Sequence, residues 1–172
     1  MSGLDVNNVL TLFDFNQETP AAAWRVQDDT VMGGRSQGHF SLTADGHGRF
    51  WGDVSLENNG GFSSIRTRLA EPVDVSTRTA FSLRLRGDGK TYTFRAKSGY
   101  EQRYYHQASF TTKGDGEWET ITIPFASMQP VFRGRSLDLP NYAGQTVTDF
   151  QLLIGNKQPQ RFEIFLDVIE AI

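Results

Sequence analysis

Apolar and polar residues alternate along most of this chain. Phe81, Leu83 and Leu85 alternate with Ser82, Arg84 and Arg86, and Tyr92, Phe94 and Ala96 with Thr93, Arg95 and Lys97. His106, Ala108 and Phe110 alternate with Gln107 and Ser109. Ile121, Ile123 and Phe125 repeat the pattern, as do Phe162, Ile164, Leu166 and Val168. A period of two with one apolar face marks strands half-buried on a core. Further strands are expected at Leu10–Phe15, His39–Leu42, Arg49–Leu56, Ser63–Leu69 and Thr148–Ile154. No stretch repeats apolar residues at helical spacing over three turns, so no long helix is expected.

Asp45-Gly46, Asn59-Gly60, Gly87-Asp88-Gly89 and Gly114-Asp115-Gly116 separate the strands. Asp-Gly and Asn-Gly pairs favour the primed turns that match strand twist. The longest irregular piece is Met128–Thr146, which contains two prolines and Arg133-Gly134-Arg135. About ten short strands without a long helix predict an all-β sandwich or barrel, not a parallel α/β sheet. A chain of 172 residues is expected to form one domain over its whole length. Such a domain buries roughly 70% of its unfolded surface.

Charge and composition narrow the function. The net charge of −3 gives no global field to attract nucleic acid or an anionic membrane. Thirteen of the seventeen basic residues are arginine, whose guanidinium fork suits carboxylates and aromatic faces. The absence of cysteine excludes disulfides, thiolate nucleophiles and cysteine-bound zinc. The first residues, Met1 to Asn8, show no basic region followed by an apolar run, and no segment is long enough to span a bilayer. A soluble cytoplasmic protein, without membrane insertion or nucleic-acid binding, is the expectation.

Two stretches carry the densest local signal: Asp28-Asp29-Thr30-Val31-Met32-Gly33-Gly34-Arg35-Ser36, and Asn58-Asn59-Gly60-Gly61-Phe62-Ser63-Ser64-Ile65-Arg66. Adjacent carboxylates on an extended segment point to opposite faces. Asp28 and Asp29 therefore read as caps or ligand acceptors more readily than as a catalytic pair. Gly33-Gly34 lacks the following helix that a phosphate loop needs. His39, His47 and His106 show no metal-ligand spacing, and His106 fits a core or rim position. No Gly-x-Ser-x-Gly elbow is present. Asp53, Glu57, Asp88 and Asp138 could supply a glycosidase pair, but nothing in the spacing makes two of them converge. No catalytic residue, metal or cofactor is expected. Trp51, Tyr100, Tyr104 and Tyr105, with Arg66, Arg84, Arg86, Arg95 and Arg103, offer aromatic and guanidinium groups for a sugar or a protein interface. They equally suit cross-strand stacking on a solvated face.

The residues Trp24, Asp28-Asp29-x-Val31-Met32-Gly33-Gly34-x-Ser36, Gly60-Gly61-Phe62-x-Ser64-x-Arg66, Gly87-Asp88-Gly89 and Pro124-Phe125 resemble the complex I intermediate-associated protein 30 family. The likeness runs from about Phe13 to Ile169. It implies a galactose-binding-domain-like jelly roll of two antiparallel sheets. It also implies a non-enzymatic assembly-factor role, since mitochondrial members hold respiratory complex I intermediates. The runner-up is a carbohydrate-binding module. The residues expected to bind a ligand or protein client are Asp28, Asp29, Met32, Gly33, Gly34, Ser36, Asn58, Asn59, Arg66, Asp88, Arg95 and Tyr105. Arg66 is further expected to bond an Asp28 or Asp29 carboxylate or the carbonyls of Val31 to Gly34.

Overall fold

The computed structural model describes residues 9–29 and 33–172. Among them lie thirteen strands, three short 3₁₀ turns and no α-helix. The strands are β1 (Leu10–Asp14), β2 (Arg25–Asp28), β3 (Gln37–Leu42), β4 (Gly48–Val54), β5 (Ser63–Asp74), β6 (Ala80–Arg86) and β7 (Thr91–Lys97). They continue with β8 (Tyr105–Thr111), β9 (Glu119–Pro124), β10 (Gln129–Phe132), β11 (Arg135–Ser136), β12 (Thr146–Ile154) and β13 (Gln160–Ala171). One sheet runs β3-β4-β13-β6-β9, with β1 beside the last residues of β13. The other runs β11-β10-β8-β7-β12-β5-β2, and every pairing in both sheets is antiparallel.

The turn sequences divide into two kinds. Asp45-Gly46 closes the β3–β4 hairpin, with Gly46 at φ 84°. Asn59-Gly60 and the two Gly-Asp-Gly turns do not make hairpins. Each carries the chain from one sheet to the other, between β4 and β5, β6 and β7, and β8 and β9. At the first crossing Asn58 takes the left-handed φ of 55°. This alternation between sheets is what makes the molecule a jelly-roll sandwich. Three strands lie outside the expected set: β2, β10 and β11. Each is short and lies at or beside a sheet edge, so it needs little apolar alternation. Two of them lie inside the segment read as irregular.

Between the sheets, Phe50, Phe81, Phe94, Phe150, Phe162 and Tyr92 are fully buried. Phe81 meets Phe94, Phe125 and Phe150 edge-on at 4.7–5.8 Å. Trp24 stacks on Phe15 at 5.6 Å and closes the end of the core near β1. His106 is buried beside this cluster, its ring Nε2 3.1 Å from the Pro140 carbonyl, as a core histidine.

The Asp28-Asp29 pair ties the sheets together. The two carboxylates diverge, as neighbours at a strand end must. Asp28 accepts from the Gly38 amide of β3 at 3.0 Å and from the Ser63 hydroxyl of β5. Asp29 is 2% exposed. Its carboxylate accepts from the Ser36 amide (3.0 Å), the Ser36 hydroxyl (2.6 Å), the Gly61 amide (2.6 Å) and the Phe62 amide (3.2 Å). Ser36 Oγ in turn accepts from the Ser55 amide at 2.9 Å. A Cβ on Gly34 or Gly60 would collide with the Asp29 carboxylate, so one glycine of each motif stretch is required by this one side chain. Burial pushes the Asp29 carboxyl up, but the Ser36 hydroxyl and the three amides outweigh it and hold the group below its ordinary 3.8.

Replacing Asp29 by Asn should therefore destabilise the fold by about 3 kcal/mol, because buried amides lose a charged acceptor. A carboxyl with a depressed folded pKa adds stability above its unfolded value, and that stability is lost as pH falls through the folded value. Urea midpoints of the wild type should thus decline below about pH 3.8 more steeply than those of Asp29→Asn. Parallel declines would show that Asp29 is not the acid-sensitive tie.

Candidate binding basin on the seven-stranded sheet

The outer face of the seven-stranded sheet is built by the polar half of the alternation. Residues opposite each other in an antiparallel pair share a face. The register places Arg25 of β2 opposite Arg66 of β5, Arg66 opposite Gln151 of β12, Gln151 opposite Arg95 of β7, and Arg95 opposite Gln107 of β8. Two residues along, Arg68, Asp149 and Lys97 form a second row. Ala23, Arg25, Arg66, Arg68, Lys97, Tyr105 and Asp149 enclose an open basin of about 560 Å³. The intervening residues Ile65, Phe94, Phe150 and Leu152 point into the core.

The electrostatics of this face are unbalanced. Asp149, 7% exposed, accepts from Arg68 Nε at 2.9 Å and from the Thr148 hydroxyl at 2.7 Å. Arg95 has neutral partners only: its Nε donates to Gln107 Oε1 at 2.8 Å and its Nη1 to Gln151 Oε1 at 3.1 Å. The Gln151 amide then donates to Ser64 Oγ at 3.0 Å. Burial lowers the Arg95 pKa from its usual range, and the neighbouring Tyr105 opposes that shift. Burial also lowers Lys97, with Asp149 opposing and Arg68 and Arg66 adding to the shift. Burial raises the Tyr105 hydroxyl. The Tyr105 ring lies under cations, with Lys97 Nζ 4.6 Å and Arg95 Cζ 5.9 Å from its centre. Arg68 covers the Tyr100 ring at 5.0 Å in the same way.

The structure separates the expected site residues into groups. Arg66, Arg95 and Tyr105 meet on this face. Asp28, Asp29, Gly34 and Ser36 lie in the hydrogen-bonded knot between the sheets, with Gly33 at its turn (φ 90°) and Asn58 on the β4–β5 crossing. Asp88 belongs to neither group: it accepts from the Tyr92 hydroxyl at 3.0 Å and from the Glu163 amide at 2.8 Å. It precedes β7 whereas Lys97 ends it, which puts the two roughly 25–30 Å apart along an extended strand. Met32 and the side chain of Asn59 lie outside the described residues.

The expected contact of Arg66 with Asp28 or Asp29 is not formed among the described residues. Strand parity forbids it. Asp28 pairs with Ser63, and Arg66, three positions on, faces the other side beside Arg25. Arg25, Arg68, Lys97, Asp149, Gln107 and Gln151 were not anticipated by motif reading. The available signal was the pair of basic i, i+2 spacings, Arg66-x-Arg68 and Arg95-x-Lys97, on polar positions of two strands. Among the described residues, no group of three or more His, Asp or Glu could hold a metal ion. No described helix is long and apolar enough to cross a membrane.

If Lys97 senses this charge balance, its titration should follow its neighbours. Arg66→Ala should raise the Lys97 pKa, and Asp149→Asn should lower it. Carbon-13 NMR titration of the Lys97 side chain reads both shifts. Movement in the same direction in both variants would contradict the arrangement.

The fold is shared with sugar-binding proteins. A family 11 carbohydrate-binding module from Clostridium thermocellum, solved with a β-1,3-1,4-mixed-linked tetrasaccharide, superposes with a TM-score of 0.64 over 95% of each chain, at 17% identity. An agarase structure gives a TM-score of 0.64 at 12% identity, covering 96% of this chain but 25% of its own. At these identities the likeness is one of fold. In sequence, an uncharacterized protein of Schizosaccharomyces pombe is 27% identical over 184 residues, covering 95% of this chain and 84% of that protein. The family model for Complex I intermediate-associated protein 30 matches residues 13–166. With the Asp29 knot and its flanking glycines inside that match, the chain belongs to the Complex I intermediate-associated protein 30 family.

Proposed function

We propose that this protein is a non-catalytic binding module that holds a protein client on the basin of its seven-stranded sheet, as an assembly factor for a respiratory or other redox complex. The observation that carries the reading is the chemistry of the basin lining. It is rich in donors and cations, and its one carboxylate, Asp149, is already ion-paired with Arg68 at 2.9 Å. Glycoside hydrolysis needs two free carboxyl groups across a cleft. A basin of guanidinium forks, amides and one tyrosine is suited to holding. The family name supports a client of the assembly type.

Carbohydrate binding is the second reading. The carbohydrate-binding modules of like fold favour it, as does the polar row of Ser64, Gln151, Arg95 and Gln107. Against it, sugar platforms need an uncovered aromatic face, and the Tyr105 and Tyr100 rings are both covered by cations.

The test compares three baits in the native host: wild type, an Arg66→Glu/Lys97→Glu double variant, and Arg161→Glu as a control on the six-stranded sheet. A partner held by the basin should be recovered with wild type and control. Its recovery with the double variant should drop roughly tenfold, equivalent to about 1.4 kcal/mol of binding, at an unchanged urea midpoint. Equal recovery with all three baits would place the client elsewhere. Stabilisation by neutral oligosaccharides alone would favour the second reading.

A further inference from the structure

We infer, on the strength of the client-binding reading above, that the basin seats an acidic segment of its polypeptide partner, and that Arg95 is the residue that selects carboxylates over neutral groups. The basin gathers Arg25, Arg66, Arg68 and Lys97 with Arg95 adjoining, against the single acid Asp149. This local excess stands against a chain whose net charge is −3. Asp149 is committed to Arg68. Among the described residues, no carboxylate lies within ion-pair distance of Arg25, Arg66, Arg95 or Lys97.

Two features make this more than a solvated basic face. First, Arg25 and Arg66 stand directly opposite each other in the β2–β5 register. Like charges in that position destabilise a sheet, and an anion between them removes the penalty. Second, Arg95 is partly buried and is held in place by two neutral glutamine oxygens. That clamp uses its Nε and one Nη1 hydrogen, and leaves the rest of the fork free. A fixed, partly desolvated guanidinium without a counter-charge is a carboxylate receptor by geometry, since bidentate pairing is the strong form of that contact.

The geometry also favours a peptide. Neighbouring strands lie about 4.8 Å apart, so Arg66 and Arg95, separated by β12, stand about 10 Å apart at the backbone. Carboxylates on alternate residues of an extended segment lie about 7 Å apart, a gap that the exposed Arg66 arm can close while Arg95 stays clamped. An acidic stretch laid across β5, β12 and β7 would meet Arg66 and Arg95 with alternate side chains. The one ring among the basin-lining residues, Tyr105, lies under Lys97 and Arg95 and offers a neutral glycan little stacking surface.

The experiment measures fluorescence anisotropy of a labelled peptide of about six glutamates against its glutamine counterpart, with the full chain. The expected result is a preference for glutamate of about tenfold or more. That preference should shrink about tenfold as sodium chloride rises from about 50 to 300 mM, because it is carried by partly exposed charges. Arg95→Gln, which keeps an amide donor but no charge, should lose most of the preference, and Arg95→Lys should keep part of it. Arg66→Gln, on an exposed position, repeats the test should Arg95→Gln fail to fold. Equal affinity for the two peptides, salt-independent binding, or tighter binding of oligogalacturonate or of the neutral mixed-linked tetrasaccharide would overturn the inference. A client still lost on Arg66→Glu/Lys97→Glu, without glutamate preference, would leave the binding-module reading standing and remove only this one.

Discussion

The Asp29 carboxylate is the constraint on which the rest of the sandwich depends. One buried charge takes hydrogen bonds from the β2–β3 connection, through Ser36, and from the β4–β5 crossing, through Gly61 and Phe62. These two segments would otherwise be free loops at the same end of the molecule. A buried carboxylate left unsatisfied would be strongly unfavourable, so the segments that satisfy it are held in one arrangement. The same knot anchors the last residue of β2, and β2 depends on little else, since it is four residues long and sits at the sheet edge. Its anchoring fixes the register that sets Arg25 against Arg66. A structural carboxylate in the motif thus determines the geometry of a cationic basin on the other face.

The two outer faces of the sandwich treat arginine differently. On the six-stranded sheet three guanidinium groups have carboxylate partners, Arg49 with Glu163, Arg84 with Asp167 and Arg161 with Asp53, while Arg86 lies over the Trp118 and Phe165 rings. Several also stack on rings, with Arg49 over Trp51 at 4.0 Å and Arg84 over Trp118 at 4.7 Å. Each such pair contributes little in solvent, but together they leave that face internally satisfied. Among the described residues, Arg68 is the one arginine of the seven-stranded sheet with a carboxylate partner. Arginine on a strand face can stabilise the fold alone, and on the six-stranded sheet it does. The unmatched set on the opposite face is an asymmetry between the two sheets, and the proposed client site rests on it.

Much of the fold was legible in the sequence because period-two alternation is a direct record of burial. β6, β7, β8, β9 and β13 all follow it. The short strands β2, β10 and β11, at or beside a sheet edge, were not legible, because backbone pairing holds them with few buried side chains of their own. The glycine turns favour primed geometry in sequence, yet three of them cross between sheets. Local chemistry specifies that the chain bends, and the core decides where it goes next. Of the site, Arg66, Arg95 and Tyr105 were visible as arginine and tyrosine on strands. Their convergence required the pairing of β5, β12 and β7, which lie far apart in sequence. The motif drew attention first to Asp28 and Asp29, whose prominence comes from architecture.

A shared fold and a shared ligand are separate facts. The jelly roll found here also occurs in carbohydrate-binding modules at 13–17% identity. At that distance the conserved element is the packing of two sheets, while the outward positions of each strand are free to change. Alternation makes this freedom possible: Ile65 and Thr67 are buried, while Arg66 and Arg68 stand on the outer face, Arg68 bonded there to Asp149. A neutral sugar calls for exposed rings and hydrogen-bonding groups of balanced charge. This chain instead places Lys97 and Arg95 over Tyr105, Arg68 over Tyr100, and an arginine opposite an arginine. These outward residues leave the core untouched, so the charge of the face is set independently of the fold.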